Sequence, residues 1–459
     1  MGSAVPVIVC LSIQHTDIFV TRRFLSKAAL VKEHVHAKQK DHTVKSLAKH
    51  RLALPGAAIV LASTLISGQT LPEVQAADST GTLDGSFGTG GISDVRGNVV
   101  VVEPNGKIYV AGGGAVGRLH SDGTLDGSFG AGGLAINDND AFFGNSVAVG
   151  PDGAIVMAGL ALFPGRPFDS ALTRFLSDGT LDTGFGTGGT VIVDVSGGDL
   201  TDRWNAVAVQ RDGKIVVAGE SFIPGVFDSS FTLARYNTDG TLDTSFGTGG
   251  IVTSDFGASL ASAFSVAVQP NGKIVAAGTT FINDFDFALA RYNRDGTLDA
   301  SFGTAGTVTT DFAGERSRQD RAFSVVIQPD GKIVAAGQAT INTFAFGLAR
   351  YNGDGTLDAS FGTSGTVTTS IGNGSFGFAR SVALQPNGKI VAAGQVLFTN
   401  TSFDFALTRY DRDGRLDASF GTGGIVTNDF PGFDFGATSV GVQPNGKIVV
   451  AGGLLVRYD

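Results

Sequence analysis

The charged residues of this sequence fall into two sets, those that recur at fixed intervals and those that occur once. Arg118, Arg174, Arg235, Arg291, Arg350, Arg409 and Arg457 recur at one strand position. Asp84, Asp126, Asp182, Asp243, Asp299, Asp358 and Asp417 recur a few residues later in the segment Gly-Thr-Leu-Asp. Seven guanidinium groups matched by seven carboxylates suit a structural ion pair, because the Arg fork holds a carboxylate through two parallel hydrogen bonds. Such pairs, Arg291 with Asp299 for instance, are expected to pin the turn or join neighbouring repeats. Lys107, Lys214, Lys273, Lys332, Lys389 and Lys447 all fall in one repeated turn. They suit a ring of ammonium groups for an anion or, more plainly, an exposed turn kept soluble. Asn293-x-Asp295-Gly296-x-Leu298-Asp299 has oxygens at alternate positions about a Gly turn, as in the middle of a Ca²⁺ loop. However, Arg291 stands where such a loop opens with Asp, and no bidentate Glu follows. Asp-Gly turns account for the same residues. No cofactor is expected, with Ca²⁺ as the lesser alternative.

The residues that occur once suggest recognition. Trp204, the sole Trp, lies beside Asp199, Asp202 and Arg203; a second group comprises Glu315, Arg316, Arg318, Asp320 and Arg321. Asn137 to Asp140 add a small acidic run, and Phe222, Phe281, Phe398 and Phe433 are candidate aromatic platforms. Aromatic rings with carboxylates and Arg suit a carbohydrate or peptide ligand. Catalytic signals are weak: there is no Gly-x-Ser-x-Gly elbow with a His partner and no phosphate loop. Beyond residue 76 the chain has one His, His120, and no Cys, which excludes a Cys nucleophile, a disulfide and a Cys or multi-His metal site. Paired carboxylates brought together from different repeats stay open.

The elements that position these residues are repeats. Gly-Thr-Leu-Asp-x-x-Phe-Gly begins at Gly81, Gly123, Gly179, Gly240, Gly296, Gly355 and, as Gly-Arg-Leu-Asp, Gly414. A second signature near Pro-Asn-Gly-Lys-Ile-Val-x-Ala-Gly also occurs seven times, with its turn Gly at 106, 153, 213, 272, 331, 388 and 446. Between them lie short β-branched or aromatic runs bounded by Gly, Asn and Asp, four to a unit, which read as strands. No helical period is sustained. The expected fold is all-β, a seven-bladed β-propeller with four short antiparallel strands per blade. The chain ends in Arg457-Tyr458-Asp459, where other repeats run into Gly-Thr-Leu-Asp, and that segment opens the repeat region at Gly81. The ring is therefore expected to close between the N- and C-terminal repeats, with residues 92–95 completing the last blade. The repeated Phe87, Phe129, Phe185, Phe246, Phe302, Phe361 and Phe420 are expected in the core or between blades.

The segment before the repeats differs in kind. Lys45, Lys49, His50 and Arg51 precede an uncharged apolar run to Ile66 and the small-ended Val74-Gln75-Ala76. That order predicts a signal peptide over 44–76, leaving 1–43 as a non-native or over-called leader and 77–459 as the repeat domain. The net charge of −9 divides into a basic leader and a body with 24 basic against 38 acidic residues, which argues against nucleic acid as partner.

Val-Gln-Pro-Asn-Gly-Lys-Ile-Val-x-Ala-Gly, Phe-Ala-Leu-Ala-Arg-Tyr-Asn and Asp-Gly-Thr-Leu-Asp-x-Ser-Phe-Gly resemble the delta-60 repeats of bacterial, mostly exported proteins. The resemblance covers essentially 78–459 and implies a propeller-like fold at the cell surface or outside the cell. It implies no established activity and no catalytic residue. The first unit (Glu103-Pro-Asn-Gly-Lys-Ile-Tyr), the second (Ala154 for Lys) and the third (Arg211 for Pro) depart from the pattern. Variable connections at 160–168, 194–204, 220–227, 311–323 and 430–435 are expected on one face, opposite the uniform turns. The resulting expectation is a non-enzymatic, monomeric binding protein that is periplasmic, surface-bound or extracellular and takes a protein or glycan there. A carboxylate-based glycan hydrolase or lyase and a purely structural module are the alternatives.

Overall fold

A computed structural model describes residues 81–459 apart from 138–141, 163–167, 198–200, 223–227, 258–259, 283, 313–318, 373–375, 399–402 and 434. The expected leader and signal peptide lie outside the described residues. Among those described, every regular element is a strand, and no helix is long and apolar enough to cross a membrane.

The strands form repeated four-stranded antiparallel sheets in which neighbours follow chain order. One unit runs Leu260–Val268, Ile274–Phe281, Phe285–Tyr292, Thr307–Thr310. The sheet holding the C-terminus is completed from the other end of the repeat region: Ile92–Ser93 pairs with Leu454–Tyr458, placing Ile92 opposite Val456. Bridges run between units: Gly113–Gly144 and Phe285–Gln319 singly, and Ser229–Leu260 in parallel, the last joining two of the four-stranded units into one eight-stranded sheet. The fold is all-β and propeller-like.

Packing explains the unbroken apolar run in each second strand. In Ile274-Val-Ala-Ala-Gly278, Ile274 and Ala276 pack with Val216, Phe231 and Leu233 of the preceding sheet. Val275 and Ala277 pack with Ile333, Ala335 and Tyr351 of the following one. A sheet covered on both faces needs apolar residues at odd and even positions alike. The first and last units pack in the same way, Val100, Ile108 and Val110 against Val449, Ala451 and Leu455.

Two glycine positions are set by close approach. Gly278 ends the Ile-Val-Ala-Ala-Gly run opposite a bulge between Ala263 and Ser265, and a Cβ there would lie 1.9 Å from the Ser262 carbonyl oxygen. Gly296 opens Gly-Thr-Leu-Asp at φ +86°, with its α-carbon against the Phe246 ring of the preceding unit. The equivalent contact for Gly81 is Phe420, near the other end of the chain. All seven repeated Phe are fully buried. The Pro270-Asn271-Gly272 turn differs in one respect from a two-residue Asn-Gly hairpin. Gly272 alone takes positive φ, while Asn271 accepts the Lys273 amide on its side-chain oxygen at 2.9 Å.

Candidate functional site

The repeated charges form a cradle at the uniform turns. Arg291 Nε donates to Asp299 Oδ2 at 2.6 Å, and Lys273 Nζ reaches the same oxygen at 2.6 Å. Ser301 fills Asp299 Oδ1 through its hydroxyl and its amide. Arg291 Nη1 donates to the Gly353 carbonyl of the next unit, and its Cζ lies 4.6 Å over the Phe302 ring. The same set recurs as Arg235, Asp243 and Lys214; Arg350, Asp358 and Lys332; and Arg409, Asp417 and Lys389. Lys447 and Arg457 meet Asp84, across the two ends of the repeat region. Burial alone would push the Asp299 carboxyl up, but hydrogen bonds from Lys273, Ser301 and Arg291 outweigh it and hold the group well below the usual carboxylate range. Each of these lysines thus has a carboxylate partner, Lys107 the loosest at 3.8 Å from Asp126, which argues against a ring of free ammonium groups, while the turn that carries them stays exposed. Asp295, the centre of the calcium-like motif, accepts Thr297 N and Oγ1 at 3.0 and 2.7 Å, an ordinary side-chain-capped turn.

The residues that occur once are distributed differently from expectation. Trp204 is 1 % exposed and packs with Val156, Leu172, Phe185 and Tyr236 between two sheets, so it is core and not a platform. Asp202 is fully buried, its Oδ2 accepting the Val195 and Ser196 amides at 2.7 and 2.8 Å. Arg203 pairs with buried Glu220, which also accepts the Ser262 hydroxyl. These three hold the scaffold together. Asp320 is the equivalent of Asp202 in a later unit and is likewise sealed, taking the Thr340 amide on Oδ1 and the Phe312 amide on Oδ2. Arg321 is stacked over Phe285, 4.2 Å from its centroid. Asp199, Glu315, Arg316 and Arg318 lie outside the described residues, as do 138–140. Phe222 and Phe281 are half-buried, Phe281 packing on Phe285 at 4.9 Å; Phe433 lies under Arg96; Phe398 is exposed.

Exposed phenylalanines mark the face opposite the cradle, whereas the exposed apolar residues at the uniform turns are leucines such as Leu125 and Leu176. Among the described residues Phe143, Phe376, Phe398 and Phe435 are the exposed phenylalanines; the first three stand where a first strand begins or a second strand ends, and Phe435 lies in the loop before Ser439–Val442. Leu162 and Ile282 are exposed beside them. Carboxylates cluster on the same face. Burial, then repulsion from Asp284, Asp311 and Asp320, pushes Asp286 up to about 6. Burial with repulsion from Asp429 does the same to Asp404. The repeats also differ at the bulged residue of the first strand: Asn145, Asn205, Phe264, Phe323 and Arg380. Arg380 sits 4.8 Å over Phe323 and 4.5 Å over Phe378, and burial lowers it to about 10. The signal for both features lies in the alignment of the repeats. Asp169, Ser230, Asp286, Ala345 and Asp404 occupy one variable position near the start of the third strand, and the bulge residue is a second variable position.

Six segments, 103–129, 150–185, 210–246, 269–302, 328–361 and 385–420, match the family described as a domain of unknown function (DUF5122) beta-propeller. Each runs from the lysine turn, or its equivalent, to the buried Phe. With the sheets, this match makes the chain a β-propeller repeat protein. No curated protein matches the sequence. Among solved structures the WD40 β-propeller domain of Doa1 is 13% identical over 84% of this chain and 97% of that one, with a TM-score of 0.44. Streptogramin B lyase is 10% identical over 79% and 92%, TM-score 0.47. PorZ, a surface component of the type-IX secretion system of Porphyromonas gingivalis, is 13% identical over 79% and 46%, TM-score 0.41. Likeness at this distance carries nothing about function.

Proposed function

We propose that this is an exported seven-bladed propeller of the delta-60 kind, closed through residues 92–93, that binds a protein or glycan on the face opposite the ion-pair cradle. The observation that supports binding there is the exposure of Phe143, Phe376, Phe398 and Phe435, four aromatic rings from three units that stand at the strand ends and loops of that face. Exposed rings offer apolar area at little entropic cost, and carboxylates accept hydrogen bonds from sugar hydroxyls or basic side chains. The repeated Arg, Asp and Lys of the uniform rim are engaged with one another and so are not available to a ligand.

A glycan hydrolase remains the second reading because Asp286 has the raised pKa of a general acid. Asp320, its equally raised neighbour, is sealed from solvent with both oxygens hydrogen-bonded, so the second carboxylate would have to be Asp311. The test is a glycan array and a surface pull-down with Phe143, Phe376, Phe398 and Phe435 all changed to Ala. At least tenfold weaker capture with an unchanged melting temperature is expected. Changing Leu125, Leu357 and Leu416 on the other face should leave capture intact. Equal loss from both sets would refute the rim, and release of reducing ends by the unmodified protein would favour the enzyme.

A further inference from the structure

We infer that Asp286, Asp311 and Asp320, together with Thr280, form a divalent-cation site suited to Ca²⁺. Three segments converge on the end of one strand to build it. Asp286 is the second residue of Phe285–Tyr292, and Asp311 follows Thr307–Thr310, whose Thr310 pairs with Phe287. Asp320 belongs to the next unit and is brought alongside by its amide, which donates to the Phe285 carbonyl at 2.7 Å. The Thr279 hydroxyl donates to the carbonyls of both Asp286 and Asp320, at 3.1 and 3.2 Å. One carboxylate oxygen from each of the three aspartates lies within 4.8 Å of the other two. The centre of a triangle no larger than that is at most about 2.8 Å from each corner, a few tenths of an ångström beyond a Ca²⁺–oxygen bond.

A second observation is independent of the carboxylates. Thr280 is fully buried, and its hydroxyl has no hydrogen-bond partner. Register places Thr280 directly across from Asp286, on the same face of the sheet. An unsatisfied hydroxyl facing clustered carboxylates is what a site built for an oxygen-seeking cation presents. The donor set is all oxygen, which disfavours Zn²⁺. The donors come from three differently directed segments, an irregular set that Ca²⁺ tolerates better than Mg²⁺, which demands a near-ideal octahedron. Asp311 is exposed, which gives the ion an entrance and room for water ligands.

The constellation is not part of the scaffold. Asp169, Asp194 and Asp202 stand at the same three positions of an earlier unit, but the residue across from Asp169 is Ala161. Among the described residues no other group of three carboxylates is drawn together in this way. A bound dication would join the end of one unit to the entry of the next and would relieve the mutual repulsion of the three acids.

The inference does not depend on what the rim binds. Chelator-treated protein is titrated with CaCl₂ by calorimetry, and its melting temperature is followed in parallel. Saturable heat and a rise of several degrees are expected, with Mg²⁺ at least tenfold weaker. Asp286→Asn with Asp311→Asn should abolish both signals. In chelator that variant should melt no lower than the unmodified protein, which shows that it folds. Asp169→Asn with Asp194→Asn should leave the titration unchanged. No heat and no thermal shift in the unmodified protein would overturn the site, as would a response that survives the Asp286/Asp311 change.

Discussion

Replacing Arg291 by Lys isolates what the guanidinium fork contributes to the cradle. The charge is kept, but an ammonium cannot serve Asp299, Ser301 and the Gly353 carbonyl together, and Lys273 already occupies Asp299 Oδ2. Two hydrogen bonds are lost, one of them between units, at about 1 kcal/mol each. Stacking on Phe302 weakens by roughly 0.5–1 kcal/mol. The side chain is 6 % exposed, so a more strongly hydrated head adds a further desolvation cost. The sum is about 3 kcal/mol. For a domain of 383 residues unfolding as one unit, an entropy of about 2 cal/mol/K per residue converts this into a melting temperature lower by roughly 4 °C. Scanning calorimetry or tryptophan fluorescence reads it directly, since Trp204 is buried in the preceding unit. The same change at Arg174, whose unit has Ala154 in place of Lys and whose side chain is 17 % exposed, should cost less. A midpoint for Arg291→Lys within about 1 °C of the parent would show that the pairing is ornamental and that the buried Phe and Gly alone set the turn.

Other outcomes follow from the same geometry. Gly296→Ala puts a Cβ 2.8 Å from Gly247 N at positive φ and should cost about 3 kcal/mol in denaturant unfolding; Gly249→Ala, in open space, should cost about 1 kcal/mol. Ala305 and Ser364 are held at φ 53° where other repeats have Gly, so Ala305→Gly should raise stability by roughly 0.5 kcal/mol. Stability should depend on pH in two opposite ways. Asp84, Asp243, Asp299, Asp358 and Asp417 have folded pKa values below their unfolded ones; their contribution is complete above about pH 4 and is lost as pH falls further. Asp286 and Asp404, raised to about 6, contribute below about pH 4 and lose that contribution as pH rises toward 6. Chelated protein should therefore be most stable near pH 4–5, and Asp404→Asn should flatten the decline above it; a monotonic rise to pH 7 would contradict this assignment.

Much of the scaffold was legible because a repeated unit is its own alignment. Gly296, Asp299, Phe302 and Arg291 each recur seven times, so their turn, pairing and burial could be read without a relative. What was not legible has a common cause. Uniqueness in sequence is no sign of exposure: Trp204 occurs once, yet it packs in the core with Val156, Leu172, Phe185 and Tyr236. Asp202 and Asp320 are buried caps, since a short polar side chain at a strand entry can take the amides of the preceding loop. The exposed rings at Phe143, Phe376 and Phe435 are the same residue type as the buried ones, and strand ends alone distinguish them. The Asp286 cluster joins residues from two units through a register that appears only once the strands are paired.

The cradle also bears on how such a chain changes over generations. Each unit's Arg holds the Asp and Ser of its own turn and reaches a carbonyl in the turn of the unit that follows, and those turns are nearly identical, so the junctions share one kind of connector. A segment bounded by two such turns could be copied or excised without altering any contact type at the seam. The opposite face also makes contacts between units, Asp320 with Phe285 and Glu220 with Ser262 among them, but its side chains differ from one junction to the next. The molecule thus separates a part that must remain interchangeable from a part free to diverge, and its recognition surface can be rewritten one loop at a time.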